Sequence, residues 1–287
     1  MGETARELEG KTALITGASR GIGKAIAQRF SAEGAAVVVV ASRMGAHGEL
    51  EGTLEQTRDE IRAAGGIAEA IVCDLTDVEA RSDLVERAAA AIGSIDIVVN
   101  NAAWSKMQLP SVSSTRSRSA MFDMNVNTPI DLAQQAIPSM RERKQGWILN
   151  ISSATAFTPS VPYRDSPEAA HICVPYGATK AALDRYTEGL GHELYPDGIY
   201  VNTMAPEAIV LTQGADYVRY IARKNPDMVE PVEMMAEAAL ALCAGRHVGQ
   251  VTYSRQLVHS LGRPVKSLDG VEVLGDAFMV ADVEATA

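Results

Sequence analysis

The chain lacks an excess of basic residues. Lys and Arg number 26 against 36 Asp and Glu, and the formal net charge is −10. An acidic surface is repelled by phosphate backbones, so no nucleic acid is expected as a partner, and no anionic membrane surface either. Cysteine is scarce: Cys73, Cys173 and Cys243 lie far apart with no CxxC spacing. That excludes a disulfide framework and fits buried or inert thiols in a reducing, cytoplasmic compartment. The five histidines form no HxxxH pair. His192-Glu193 opens like a zinc helix, but Pro196 stands where the second His belongs, so no metal is expected. Long apolar runs are missing too. None is longer than Ala35 to Ala41, which has strand length and cannot span a bilayer.

What is present is globular. The 287 residues are 47% apolar and include 23 Gly and 12 Pro. A chain of this length buries about three quarters of its unfolded surface without staples. Short apolar runs alternate with amphipathic stretches. Strands are expected at 11–16, from Val37 to Val40, and at 67–72, 95–99, 147–151 and 199–203. Helices are expected over about 21–33, 50–64, 77–92, 115–143, 175–195 and 231–244. The β-branched run Val37–Val40 reads as a strand covered on both faces. Repeated strand–helix alternation predicts one α/β domain over 1–287, a parallel sheet with helices on both faces. Residues 1–9 read as a loose polar arm. Three segments break the rhythm: 154–174 with three prolines, 206–230, and a tail at 262–287. Loops at the carboxyl ends of parallel strands are where such sheets bind ligands.

The first strand ends in Thr16-Gly17-Ala18-Ser19-Arg20-Gly21-Ile22-Gly23 and opens a helix. Glycines there allow a tight turn and close approach of backbone to a pyrophosphate, while the helix N-terminus offers free N–H groups. Tyr176 and Lys180 stand four apart on an expected helix and share a face. A phenol of pKa about 10 is a poor acid–base near neutrality. A neighbouring ammonium is expected to lower it. Tyr176 then suits proton exchange with a carbonyl or alcohol oxygen, and a neutral hydroxyl such as Ser153 suits holding that oxygen. Tyr163 lies nearer Ser153, but Pro167 follows it at the spacing where Lys is needed. It reads as a loop anchor or substrate contact. Ser152 and Ser153 alternate on a strand and point to opposite faces.

Together these motifs resemble the cofactor and catalytic fingerprint of the classical short-chain dehydrogenase/reductase family. Asp74 and Leu75 match its adenine-contacting position. Asn100-Asn101-Ala102-Ala103 resembles its Asn-Asn-Ala-Gly motif. Asn125, Ser153, Tyr176 and Lys180 match its catalytic Asn, Ser and Tyr-x-x-x-Lys, in order. Asn202 and Pro206 match a late Asn and Pro. The resemblance implies a Rossmann-like doubly wound sheet in the order 3-2-1-4-5-6-7. It also implies that Lys180 contacts the nicotinamide ribose, that Asn125 supports a water-linked proton path, and that the chain forms a homodimer or homotetramer through the helices around 128–143 and 176–194.

The second strand bears on the cofactor. An acid at its end would bind the ribose hydroxyl of NAD, and an Arg would accommodate the phosphate of NADP. Here it ends Val40-Ala41-Ser42-Arg43, and Arg20 in the glycine loop can approach the same phosphate. NADP is the expected cofactor, with NAD as the second possibility.

The departures from the family are Ala103 for Gly, Glu207 for the Gly after Pro206, and Thr212 one residue late. That last shift leaves Ile209, Val210 or Thr212 as the carboxamide contact. The 23-residue interval from Ser153 to Tyr176 is longer than usual for the family. Its extra polar segment, with Tyr163, Arg164, Asp165, Glu168 and His171, either binds substrate, meets another subunit or is merely tolerated. The tail, with Val271, Val273, Leu274, Phe278, Met279 and Val280, is expected to pack on a neighbouring subunit or over the cleft.

These features point to an NADP(H)-dependent oxidoreductase interconverting a carbonyl and a secondary alcohol, with a small-molecule substrate. Its rivals are an NAD-dependent alcohol dehydrogenase of the same fold and a cofactor-binding regulator without redox turnover.

Overall fold

A computed structural model describes residues 6–46, 51–157, 171–212, 222–223 and 229–275. In chain order the elements begin β1 (Thr12–Thr16), α1 (Gly21–Ala32), β2 (Ala36–Ala41), α2 (Leu54–Ala63) and β3 (Ala68–Val72). Next come α3 (Val78–Arg81), α4 (Leu84–Ile92), β4 (Ile97–Asn100), α5 (Thr115–Phe122), α6 (Thr128–Arg143) and β5 (Gly146–Ile151). Then follow α7 (Val174–Leu194), β6 (Ile199–Ala205), β7 (Ile209–Val210), β8 (Val229–Glu230), α8 (Val232–Ala244), β9 (Val251–Tyr253) and α9 (Ser254–Ser260).

Seven parallel strands pair in the order β3-β2-β1-β4-β5-β6-β9. This is the expected 3-2-1-4-5-6-7 order, with β9 as the seventh sheet strand because β7 and β8 form a separate two-stranded pair. Side chains alternate across each strand, so two cores form. Ala13, Ile15, Val37 and Val39 face the layer with α1 and α8. Leu14, Val38 and Val40 face the layer with α4 and α6. The order reverses between β1 and β4, which opens a crevice at the strands' carboxyl ends.

Several expected boundaries shift for local reasons. The helix expected from about residue 50 starts at Leu54, because Gly52 takes φ +91° and Thr53 Oγ1 then caps the Gln56 N–H at 3.0 Å. The helix expected over 77–92 is two, α3 capped by Asp77 and α4 starting after Asp83. The arm at 1–9 is not loose where it is described. Leu8 is wholly buried, and its N–H and that of Glu7 bond the carbonyl and carboxylate of Glu33. The apolar Leu8 closes the core under β1 and outweighs its polar neighbours.

The described part of the tail folds back on its own chain. Val265 is buried, and Arg263 pairs with Glu7 at 2.6 Å and Glu237 at 2.7 Å. Phe278, Met279 and Val280 lie outside the described residues, as do Tyr163, Arg164, Asp165, Pro167 and Glu168. No helix among the described residues is long and apolar enough to cross a membrane.

Candidate active site

A cleft of about 770 Å³ lies at the β1–β4 crevice. One wall is the glycine loop, with Gly17, Ser19 and Arg20; another is the end of β2, with Ser42 and Arg43. Asp74 and Leu75 after β3, and Asn101, Ala102 and Trp104 after β4, add to it. Tyr176 and Thr212 reach it from α7 and from the segment after β7. Gly21, Ile22 and Gly23 form the first turn of α1 behind the loop. A Cβ on Gly23 would collide with the Gly17 carbonyl and the Asn101 amide. Gly17 itself has φ +65°, where glycine carries no steric cost.

The loop after β4 is tied to β1. Thr16 Oγ1 accepts the N–H groups of Asn101 at 3.0 Å and Ala102 at 3.1 Å, and Asn101 Nδ2 donates to the Thr16 carbonyl at 2.9 Å. The Asp74 carboxylate accepts both the N–H and the hydroxyl of Thr76, which hold it below its ordinary range, with Arg43 adding a smaller pull. Arg43 and Ser42 are exposed. Arg20 Nη1 is buried and has no hydrogen-bond partner among the described residues.

Asn125 sits in a π-turn, Asp123–Asn127, between α5 and α6 and is wholly buried. Such turns recur at functional sites. Its Oδ1 accepts the Trp104 N–H at 2.9 Å, and its Nδ2 donates to the Trp104 carbonyl at 2.8 Å and to Thr179 Oγ1 at 3.0 Å. Thr179 Oγ1 in turn donates to the Tyr176 carbonyl at 2.7 Å. Ser153 follows β5 and caps a short turn, its Oγ accepting from the Thr155 hydroxyl at 2.9 Å. Gly177 lets α7 press against the Thr155 carbonyl, which any Cβ there would overlap, so Tyr176 is brought beside the Ser153 turn.

Lys180 Nζ lies 5.7 Å from the centre of the Tyr176 ring and donates to the Ile151 carbonyl at 2.7 Å. Burial pulls its pKa down to about 8. Burial pushes the Tyr176 phenol up to about 12. The expected lowering of the phenol by its ammonium neighbour does not appear; loss of solvent alone sets the direction.

Sequence reasoning missed three partners here: Thr16, Thr179 and Asp184. The first two stand inside the glycine-loop and Tyr-x-x-x-Lys motifs. Asp184 is one helical turn beyond Lys180 and buried, and burial lifts its carboxyl above the usual range against the pull of Ser152 and Lys180.

Beyond β6 the chain passes Pro206, and Glu207 turns outward, its Oε2 accepting the Gln256 N–H of α9 at 3.0 Å. Ile209 and Val210 form β7 and pack against neighbouring apolar residues, while Thr212 lies over Gly21 on the cleft. All three cysteine thiols are pushed up by burial.

Comparison with known proteins agrees with this arrangement. The short chain dehydrogenase family model matches residues 11–220. A bovine hydroxysteroid dehydrogenase-like protein 2 is 34% identical over 238 residues, covering 82% of this chain. The chain spans only 54% of that relative's length. A 3-oxoacyl (acyl-carrier-protein) reductase from Agrobacterium tumefaciens C58, solved with NADP bound, superposes with TM-score 0.74 at 29% identity, covering 88% of this chain and 95% of that one. A 7α-hydroxysteroid dehydrogenase complexed with NADH and 7-oxo glycochenodeoxycholic acid superposes with TM-score 0.76 at 29% identity, covering 88% and 96%. With the fold, the crevice and the sequence in agreement, the chain belongs to the short-chain dehydrogenase/reductase family, NAD(P)-dependent oxidoreductases of the alcohol–carbonyl type.

Proposed function

We propose that the protein is an NADP(H)-dependent reductase or dehydrogenase that interconverts a carbonyl and a secondary alcohol, with Tyr176 as the acid–base. The observation that carries the cofactor reading is Arg20, which lines the cleft with Ser42 and Arg43 and whose buried Nη1 makes no hydrogen bond among the described residues. A buried unpaired guanidinium nitrogen is costly unless an anion meets it. The glycine loop suits a pyrophosphate, because its glycines pack so closely on Asn101, Ala102 and Thr212 that no Cβ fits and the backbone stays open to close approach. The residues therefore fit a dinucleotide whose ribose phosphate reaches Arg20, Ser42 and Arg43. The Agrobacterium neighbour holds NADP in this fold.

Asp74 and Leu75 would hold the adenine, Asn101 and Ala102 the central portion, and Thr212 the nicotinamide end. A bound nicotinamide cofactor supplies or accepts the hydride. The rest is done by side chains of this chain. At neutral pH the Tyr176 phenol carries its proton and can donate it to a carbonyl oxygen, which Ser153 holds. Lys180, mostly ammonium at pH 7, stabilises the phenolate left behind. Asn125 fixes the Trp104 backbone and, through Thr179, the backbone of Tyr176. The substrate is a small alcohol or carbonyl. A cytoplasmic location and a homodimer or homotetramer belong to the same reading.

The test is kinetic. Wild type should prefer NADPH over NADH by about tenfold or more, since charge-assisted bonds to Arg contribute about 1.5–3 kcal/mol each. The double variant Arg20→Ala plus Arg43→Ala should lose that preference. A wild type preferring NADH, or an unchanged preference in the double variant, overturns the NADP assignment.

A further inference from the structure

We propose that Glu230, acting through Ser254, is a positioning residue that seats the segment 206–212 at the nicotinamide end of the cleft and makes cofactor affinity depend on pH. The inference rests on the dinucleotide reading above. β7 pairs with β8 so that Val210 lies opposite Glu230, and this pair carries the segment towards Thr212 at the cleft. Glu230 is 1% exposed and Ser254 is wholly buried. Ser254 Oγ donates to Glu230 Oε1 at 2.6 Å and accepts the Glu207 N–H at 3.3 Å. One hydroxyl thus joins the buried carboxyl to the backbone immediately after Pro206. Glu230 Oε2 is buried and makes no hydrogen bond among the described residues.

The charged groups on the surrounding elements are few. Arg255 on α9 favours the anion, as do the Ser254 hydroxyl and the N–H groups of Glu207 and Ala208. The Glu207 carboxylate is turned away to the Gln256 N–H, and Glu233 lies in the first turn of α8. Against these, burial dominates and pushes Glu230 up to about 7. The sign follows from linkage. The seated segment buries Glu230, so seating raises its proton affinity and the protonated form favours the seated state. As pH rises through about 7 the carboxyl ionises, and lifting the segment to rehydrate it becomes easier. Cofactor that requires the seated segment then binds more weakly.

The experiment titrates NADP+ and the fragment adenosine 2′,5′-bisphosphate into wild type and Glu230→Gln at pH 6 and pH 8. The fragment shares the phosphates of the adenosine end but lacks the nicotinamide, so it reports the cleft without the segment. Gln imitates the protonated carboxyl. The two proteins should bind NADP+ alike at pH 6, and Glu230→Gln should bind it about three- to tenfold more tightly at pH 8. The fragment should not distinguish them at either pH. Ser254→Ala, which cuts the link to the Glu207 N–H, should bind NADP+ more weakly than wild type at pH 6 and shrink the fall between pH 6 and pH 8, with the fragment unaffected. Equal NADP+ affinity at both pH values, or a Glu230→Gln variant weaker at both, overturns the positioning role. Wild type that binds neither ligand overturns the dinucleotide reading itself.

Discussion

Tyr176 and Lys180 stand one turn apart on α7, and burial moves their pKa values in opposite directions. Each consequence can be measured. Tyr176→Phe keeps the ring and removes the proposed proton donor. Turnover should fall by at least about a hundredfold, the usual scale for losing general acid–base catalysis. Cofactor affinity should barely change in a fluorescence titration, and a fall in turnover of less than about tenfold would put the proton donor elsewhere. Lys180 tests the electrostatics through stability. Its folded pKa of about 8 lies below the usual 10.5, so the unfolded chain binds more protons between those values. Wild-type stability therefore gains on the order of a few kcal/mol from this group as pH rises from about 7 to 10.5. Lys180→Met lacks that gain. Its stability relative to wild type should drop across the window in chemical denaturation, although its activity is lost throughout.

At the scale of elements, the sequence was most legible where one interaction decides. The Val37–Val40 run became β2 because both faces of the sheet are covered, and each valine finds a core. Asp77 caps α3 by accepting the N–H groups of Glu79 and Ala80. Legibility ended where distant partners decide. α3 stops after Arg81, whose buried guanidinium reaches the Leu75 carbonyl, Asp123 and Asp131. Nothing local in 77–92 announces those partners. The π-turn that aims Asn125 at Trp104 depends on packing between α5 and α7, so the spacing showed helices filling 115–143 but not the turn that joins them. β7 and β8 are two residues each, too short for any periodicity, and they pair across a long intervening stretch of chain. That Gly17, Arg20, Ser42, Arg43, Asp74 and Asn101 share one cleft could be read from the sequence because each stands just after a strand. The link from Glu230 through Ser254 to Glu207 crosses three segments and leaves no pattern in the sequence.

At the scale of the molecule, the first and last described segments of the chain meet over α1 and α8. Arg29 and Glu237 are each 1% exposed and pair at 3.2 Å. Arg29 also pairs with Glu33 at 2.6 Å. Glu237 takes a second cation from Arg263, which extends to Glu7 at the other terminus. Gly270 then passes close over the Arg29 guanidinium, where a Cβ would come within 3.1 Å of Nη1. Buried charges hold only while paired, and removing one partner typically costs about 3–5 kcal/mol. Truncation after Leu261 removes Arg263, the Val265 plug and the Gly270 cover together. The unfolding temperature should fall by on the order of 5–10 °C. Arg263→Ala alone should reproduce about half of that fall, because Arg263 is partly exposed and solvent screens its share. The Michaelis constant should stay near wild type, since the described tail contacts α1 and α8 and not the cleft. A truncated chain with unchanged thermal stability and an altered Michaelis constant would instead place the tail's energetic role at the substrate.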